Sequence, residues 1–266
     1  MACRTIELSV VIPAYNEERR LEPTVQSVLD YLSREERRGE VILVDDGSTD
    51  ATCSLMRRFA DEDDRVRLIR LPRNAGKGHA VRTGVLSAVG ERVLFTDADG
   101  ATPIAEIARL DRHLDAGAAV AIGSRISNGD DDVRVEALVS RHVAGRIFHQ
   151  LVKRLAVRGI GDTQCGFKLF TSAAARDLFS RMRLDGFSFD VELLVIARRH
   201  GLVVSEVPVR WTHQPGSKVN VVADGLRMAR DLFHIRALAV RGVYDRPQSV
   251  PGALPAPRSL TRVVHA

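Results

Sequence analysis

The sequence is poor in several residue types, and each scarcity removes a class of function. Its 266 residues hold three cysteines, Cys3, Cys53 and Cys165, far apart and without a CxxC pair. That argues against a zinc ribbon and a disulfide-framed secreted module, and a reduced, cytoplasmic setting is expected. No run approaches the roughly 18 consecutive apolar residues of a membrane-spanning helix. The opening segment MACRTIELSVVIP runs straight into a strand-like stretch, so no secretory leader is expected. Aromatic residues make up 5%. No stacking pattern accompanies the arginines, so nucleic acid is not an expected partner. The GxxxxGK[ST] spacing of a Walker loop is absent, and no GxGxxG follows the first strand-like run. Lysine is scarce too. Of 39 basic residues only Lys77, Lys153, Lys168 and Lys218 are lysines, which draws attention to each.

What is present is an ordinary globular balance, 45% hydrophobic and 27% charged, with 39 basic against 34 acidic residues and a net charge of +5. Such a surface suits anionic lipid or a phosphorylated substrate. The length fits one large α/β domain. We expect a single domain over residues 1–246. A disordered tail is expected over 247–266, where four of the ten prolines fall and apolar periodicity stops.

In the first half, short apolar runs at 8–13, 41–46, 66–71, 92–97 and 118–124 alternate with helical patterns. One helix is expected over 23–38, and another after Ser48-Thr49-Asp50, with Ser48 or Asp50 as N-cap. The pattern predicts a mostly parallel central sheet flanked by helices on both faces. Such sheets bind ligands beyond the carboxyl ends of their strands. Those ends carry Tyr15, Asn16 and Glu17, then Asp45 and Asp46, then Asp97, Ala98 and Asp99.

The second half predicts a basic amphipathic helix over 138–158, helices near 171–182 and 190–200, and a strand over 202–211. A last helix is expected over 224–242, with Met228, Ala229, Leu232, Phe233, Ile235, Ala239 and Val240 on one half. The two basic amphipathic segments suit either an anionic lipid surface or packing on the core with solvated charges.

Three motifs carry chemistry. Asp97 and Asp99, directly after a buried strand, can offer hard oxygens to Mg²⁺ or Mn²⁺ that bridges to a diphosphate. The same letters, Asp97-Ala98-Asp99-Gly100, are also compatible with an aspartate-based phosphatase. Residues 73–78, Arg-Asn-Ala-Gly-Lys-Gly, form a glycine-bracketed basic turn whose N–H groups and Lys77 can meet an anion. Asp45 and Asp46 can accept from a base or ribose, and Tyr15 and Glu17 can line the same pocket.

Taken together, VVIPAYNEE, VDDGSTD, NAGKGHAVRTG, TDADGATP, IGSR, DTQCGFKLF, FDVELL and GSK, in this order, resemble the dolichyl-phosphate β-glucosyltransferases. These lie within the family 2 inverting glycosyltransferases of GT-A fold. The resemblance spans residues 7–242. It places Pro13, Ala14, Tyr15, Glu17 and Asp46 in the nucleotide pocket, with Asp45 beside them, and Asp97 and Asp99 at the metal with Ala98 between. Lys77 falls where the basic loop meets the donor. Arg125 begins the acceptor loop, and Asp162, Gln164 and Lys168 belong to the segment associated with the sugar and acceptor phosphate. Arg141 is a further candidate for holding the acceptor. The resemblance implies hexose transfer, with glucose from UDP-glucose preferred over mannose from GDP-mannose, onto a polyprenyl monophosphate. The acceptor phosphate is mostly dianionic at pH 7 and already nucleophilic. Asp162 either orients a sugar hydroxyl or serves as a weak base. Neither an N-terminal anchor nor C-terminal spans, features of some relatives, are visible in these residues, so peripheral binding at the cytoplasmic membrane face is expected, with reliance on a partner or a soluble acceptor as the alternatives. A non-enzymatic basic module is disfavoured because both metal carboxylates and the basic loop are intact.

Overall fold

The computed structural model describes residues 5–126, 135–136, 159–214 and 221–246. The apolar runs become strands β1 (Leu8–Ala14), β2 (Gly39–Asp45), β3 (Val66–Arg70), β4 (Arg92–Thr96) and β5 (Val120–Ser124). After β6 (Val135–Glu136) come β7 (Phe167–Thr171), β8 (Val204–Pro208) and β9 (Trp211–Thr212). Seven of them form one sheet in the order β3-β2-β1-β4-β7-β5-β8, while β6 and β9 pair separately. Every residue of β1 and β2 is buried, as strands covered on both faces must be. Side chains alternate between two cores. Val11, Ile42, Val44 and Phe95 enter one, and Val10, Ile12, Leu43 and Leu94 the other.

The helices are α1 (Leu21–Arg34), α2 (Thr52–Glu62), α3 (Lys77–Ser87), α4 (Ile107–Asp115), α5 (Ser172–Arg181), α6 (Phe189–Arg199) and α7 (Val221–Val240). Residues of α1, α2 and α4 pack on one face of the sheet, those of α3, α5, α6 and α7 on the other. Helix α1 stops at Arg34 rather than continuing to residue 38, because the chain turns through Glu36 at φ 48° to enter β2. Helix α2 starts at Thr52. Its N-cap is Ala51 rather than Ser48 or Asp50: Asp50 Oδ1 accepts the Thr52 N–H at 3.0 Å from just before the cap, and the Ser48 hydroxyl accepts the Asn16 N–H at 2.9 Å and ties two loops.

The main departure from a parallel sheet is β7, antiparallel to both β4 and β5. β5 ends where β4 ends, and the chain re-enters the sheet with Phe167 opposite Thr96. A strand that re-enters at the edge its predecessor left needs no crossover and runs backwards. The sheet is therefore mixed, with β1, β2, β3 and β4 parallel and β5 parallel to β8. The expected helix over 138–158, the GSK segment and the 247–266 tail lie outside the described residues.

Candidate active site

The loops after β1, β2 and β4 and the turn before α3 meet at one end of the sheet. Asn16 Oδ1 accepts the Thr49 N–H at 2.8 Å, and the Glu17 N–H donates to Thr52 Oγ1 at 2.7 Å, so the loops after β1 and β2 are stitched together. Glu17 also pairs with Arg20 at 2.6 Å. Pro13 and Ala14 are buried in β1, and Tyr15 is half-buried just beyond it. Asp45 is fully buried, with Oδ1 accepting the Ser48 N–H at 2.9 Å. Asp46 organises the basic turn: its two oxygens accept the N–H groups of Ala75 at 2.7 Å and Gly76 at 3.0 Å. Burial outweighs these bonds and raises the Asp46 pKa.

That turn delivers Lys77 to the first position of α3, where its Nζ lies 2.7 Å from Asp97 Oδ1. Burial opposes the ammonium charge, but Asp97, Asp190 and Asp99 together outweigh it and raise the Lys77 pKa. The Asp97 N–H donates to Gly166 O at 3.0 Å. A Cβ on Gly166 would collide with the Asp97 carboxylate, so only glycine admits this approach. Asp46, residues 75–77, Asp97 and Gly166 thus form one connected run of contacts across the ends of β2, β1 and β4. Asp99 Oδ1 accepts the Ala101 N–H at 3.1 Å, and the Thr24 hydroxyl donates to Ala98 O at 2.9 Å, which fixes the loop holding both aspartates. Burial, and then the charge of Asp97, raise the Asp99 pKa. Among the described residues no group of three or more His, Cys, Asp or Glu gathers around a metal position. Asp97 and Asp99 offer two hard carboxylates, the donor set with which Mg²⁺ or Mn²⁺ pairs when phosphate oxygens and water complete its shell.

Beyond β5 the carboxylates are saturated. Asp162 receives the Arg125 N–H at 2.9 Å, its Nε at 2.7 Å and its Nη2 at 2.8 Å, together with the Gln164 N–H at 3.2 Å. Burial works against its charge, but the hydrogen bonds and charge of Arg125 prevail and hold the Asp162 carboxyl below its ordinary value. Arg125 also lies over the Trp211 ring, 5.7 Å from its centre. Gln164 Nε2 reaches Met228 Sδ of α7 at 4.0 Å. Lys168, expected beside the acceptor phosphate, is 1% exposed. It sits on β7 opposite Phe95, and its Nζ donates to Cys165 O and to Asp190 Oδ1, each at 2.5 Å. Its ammonium is therefore committed inside the fold. Arg141 lies outside the described residues.

Residues 9–179 match the profile of Glycosyl transferase family 2. A human dolichyl-phosphate β-glucosyltransferase is 39% identical over 258 residues, 92% of this chain and 79% of its own. The Drosophila melanogaster enzyme of that name is 43% identical, over 87% of this chain and 74% of its own. The chain belongs to glycosyl transferase family 2. Within the family it is dolichyl-phosphate β-glucosyltransferase-like. Two solved structures share its fold. Glucosyl-3-phosphoglycerate synthase from Mycobacterium tuberculosis, in complex with Mn²⁺, UDP-glucose and phosphoglyceric acid, is 21% identical with a TM-score of 0.61, covering 91% of this chain and 81% of its own. Mannosyl-3-phosphoglycerate synthase from Rubrobacter xylanophilus is 18% identical with a TM-score of 0.65, covering 94% and 79%. The architecture is GT-A.

Membership of the glycosyltransferase family removes the phosphatase reading of Asp97-Ala98-Asp99-Gly100 and the non-enzymatic reading. Three residues of the site had no assigned role in the sequence. Gly166 clears space for Asp97. Asp190, an acid inside the apolar run FDVELL, holds Lys168. Glu206 accepts from the N–H groups of Gly161 and Asp162 and from the Ser124 hydroxyl, each at 2.7 Å, and so fixes the loop that carries Asp162. An acid set among apolar neighbours was the available signal for both, Asp190 in a buried helix and Glu206 on the half-buried edge strand β8.

Proposed function

We propose that this glycosyltransferase moves glucose from UDP-glucose to a polyprenyl monophosphate of dolichyl type, giving a β-linked lipid-phosphate sugar. The observation that carries the reading is the run from Asp46 through residues 75–77 to Asp97, in a chain 35–43% identical to relatives named for that activity. Asp46, Tyr15, Glu17, Pro13 and Ala14 form the nucleotide pocket, with Asp45 as a buried support for its loop. Asp97 and Asp99, with Ala98 between them, hold the divalent cation. When bound, that cation stabilises negative charge on the departing nucleoside diphosphate. Lys77 and the N–H groups at the start of α3 add favourable potential for the same anion.

On the acceptor side, Arg125, Gln164 and Arg141 receive the lipid phosphate and oppose the repulsion between two phosphate-bearing substrates. The dianionic acceptor attacks the anomeric carbon directly, and one displacement inverts it. The geometry favours Asp162 as a positioning residue for Arg125 rather than as a base, because its oxygens are occupied and its carboxyl is held ionised. Lys168 supports the site from beneath through Cys165 and Asp190. Residues 1–246 act as one catalytic domain.

No helix among the described residues is long and apolar enough to cross a membrane. Helix α7 offers a route for peripheral contact. Leu232 and Ile235 enter the core, while Phe233 is 60% and Val240 81% exposed, beside exposed Arg230, Arg236 and Arg241. An apolar stripe rimmed by arginines suits an anionic bilayer surface. Free Cys53 and Cys165 are compatible with the cytoplasmic face.

The test is transfer of labelled sugar from UDP-glucose and from GDP-mannose to polyprenyl phosphate with Mn²⁺ or Mg²⁺. Glucosyl transfer, with a β-anomeric coupling in the product's NMR spectrum, is expected. Transfer from GDP-mannose alone overturns the donor assignment.

A further inference from the structure

We infer that Lys77 is the resident counter-ion of the cation site. Its ammonium stands at Asp97 until a metal and a nucleoside diphosphate arrive together. The inference rests on the assignment of Asp97 and Asp99 as metal ligands. Lys77 Nζ is 2.7 Å from Asp97 Oδ1, and the two side chains are 25% and 33% exposed, so the pair belongs to the accessible site rather than to the core. Asp97 cannot swing away easily. Its N–H is bonded to Gly166 O, and its carboxylate fills the space that a Cβ on Gly166 would occupy.

The position of Lys77 is not explained by helix stability. It is the first residue of α3, whose first turn holds no acid. A cation at that end faces the positive pole of the helix dipole. What retains it is the set of carboxylates in front of it. Asp97 is in direct contact, and the charges of Asp99 and Asp190 also favour the ammonium. A divalent cation at Asp97 meets the ammonium at close range, and the two repel. Free metal must therefore compete with Lys77 for Asp97 and bring no anion to take the ammonium over. A metal that arrives with a diphosphate brings phosphate oxygens to the N-terminus of α3, and these give the ammonium a new partner.

Lys77 thus opposes the metal alone and favours the metal with the nucleotide. A simple donor-binding lysine leaves free-metal affinity untouched, and a simple structural lysine weakens both ligands when removed. By reciprocity, the metal raises nucleotide affinity by the factor by which the nucleotide raises metal affinity. The exchange makes binding of metal and donor cooperative without any further moving part.

The experiment titrates Mn²⁺ into the full chain and reads free Mn²⁺ by its electron paramagnetic resonance signal, with and without UDP. Wild type is compared with Lys77→Met and Lys77→Arg. Without UDP, Lys77→Met should bind Mn²⁺ about tenfold more tightly than wild type, as removal of a neighbouring positive charge demands. The gain that UDP confers should shrink in the same variant, while Lys77→Arg should retain weak binding of Mn²⁺ alone. Should Lys77→Met fail to fold, Lys77→Gln removes the same charge and carries the same expectation. Unchanged or weaker Mn²⁺ binding by the neutral variants, with tight Mn²⁺ binding by wild type plus UDP, overturns this inference alone. No Mn²⁺ binding by wild type under either condition overturns the assignment of Asp97 and Asp99 and the inference with it.

Discussion

The two halves of the sheet treat their acids differently. On the β1–β4 side, the Asp97–Lys77 contact is partly exposed, and Asp99 accepts the Ala101 N–H of its own loop. On the β5–β7–β8 side, Asp162, Asp190 and Glu206 are tied to Arg125, Lys168 and the N–H groups of the 161–162 loop. One half keeps carboxylate oxygens within reach of a cation, and the other uses carboxylates to hold cations and loops in place. A site that binds a metal-diphosphate needs the former. A site that must present arginine to a lipid phosphate needs the latter, because a guanidinium held by a bidentate carboxylate keeps its orientation.

The sharpest way to break this comparison is at Asp97. Asp97→Asn or Asp99→Asn should lower metal-dependent turnover by about a hundredfold or more while leaving the melting temperature near wild type. Turnover that survives both changes removes the functional meaning of the open half. Lys168→Met should instead act on stability. It strands Asp190 in the interior, at a cost of about 3 kcal/mol or more in urea unfolding, and Lys168→Met with Asp190→Leu should recover most of that loss. If Lys168→Met leaves stability unchanged and raises only the acceptor KM, the closed half is not closed.

Asp162→Asn should lower kcat/KM for the acceptor while UDP affinity stays within about twofold of wild type. Its stability effect has a defined pH dependence. The folded carboxyl titrates below its ordinary value of 3.8, so the stabilisation is complete above that value and disappears as pH falls through the lower folded one. The difference in melting temperature between wild type and Asp162→Asn should hold steady above about pH 5 and narrow as pH falls below the ordinary carboxyl value of 3.8. A gap that instead opens at low pH contradicts the ion pair. The smallest effect is expected at the surface: Phe233→Ser should reduce flotation with anionic vesicles about threefold and leave Leu232 and Ile235 packed. Equal flotation argues against α7 as the lipid-facing element.

The open half was legible because it is local. Asp45, Asp46, Asp97 and Asp99 each follow their strand within a few residues, so a buried run ending in acids locates them, and the glycine-bracketed turn announces Lys77. The closed half depends on partners that the chain separates widely: Arg125 with Asp162, Lys168 with Asp190, Ser124 with Glu206. Short-range pattern has no access to such pairs, and the family resemblance that associates Lys168 with the acceptor phosphate carries no information on its burial here. The 224–242 helix was legible as amphipathic, but its apolar half divides between core and solvent, because Leu232 and Ile235 join the core on the α6 side while Phe233 and Val240 stay exposed.

By itself, the sequence determined the strand-ending carboxylates, the covered sheet and the family, because strand burial, turn chemistry and motif order are written over a few residues at a time. Only the tertiary structure decided the backward run of β7, the glycine that admits Asp97, the burial of Lys168 against Asp190, and the contact of Lys77 with a carboxylate. Each of these depends on which distant segments lie side by side in the sheet, and that is settled by packing the whole chain at once.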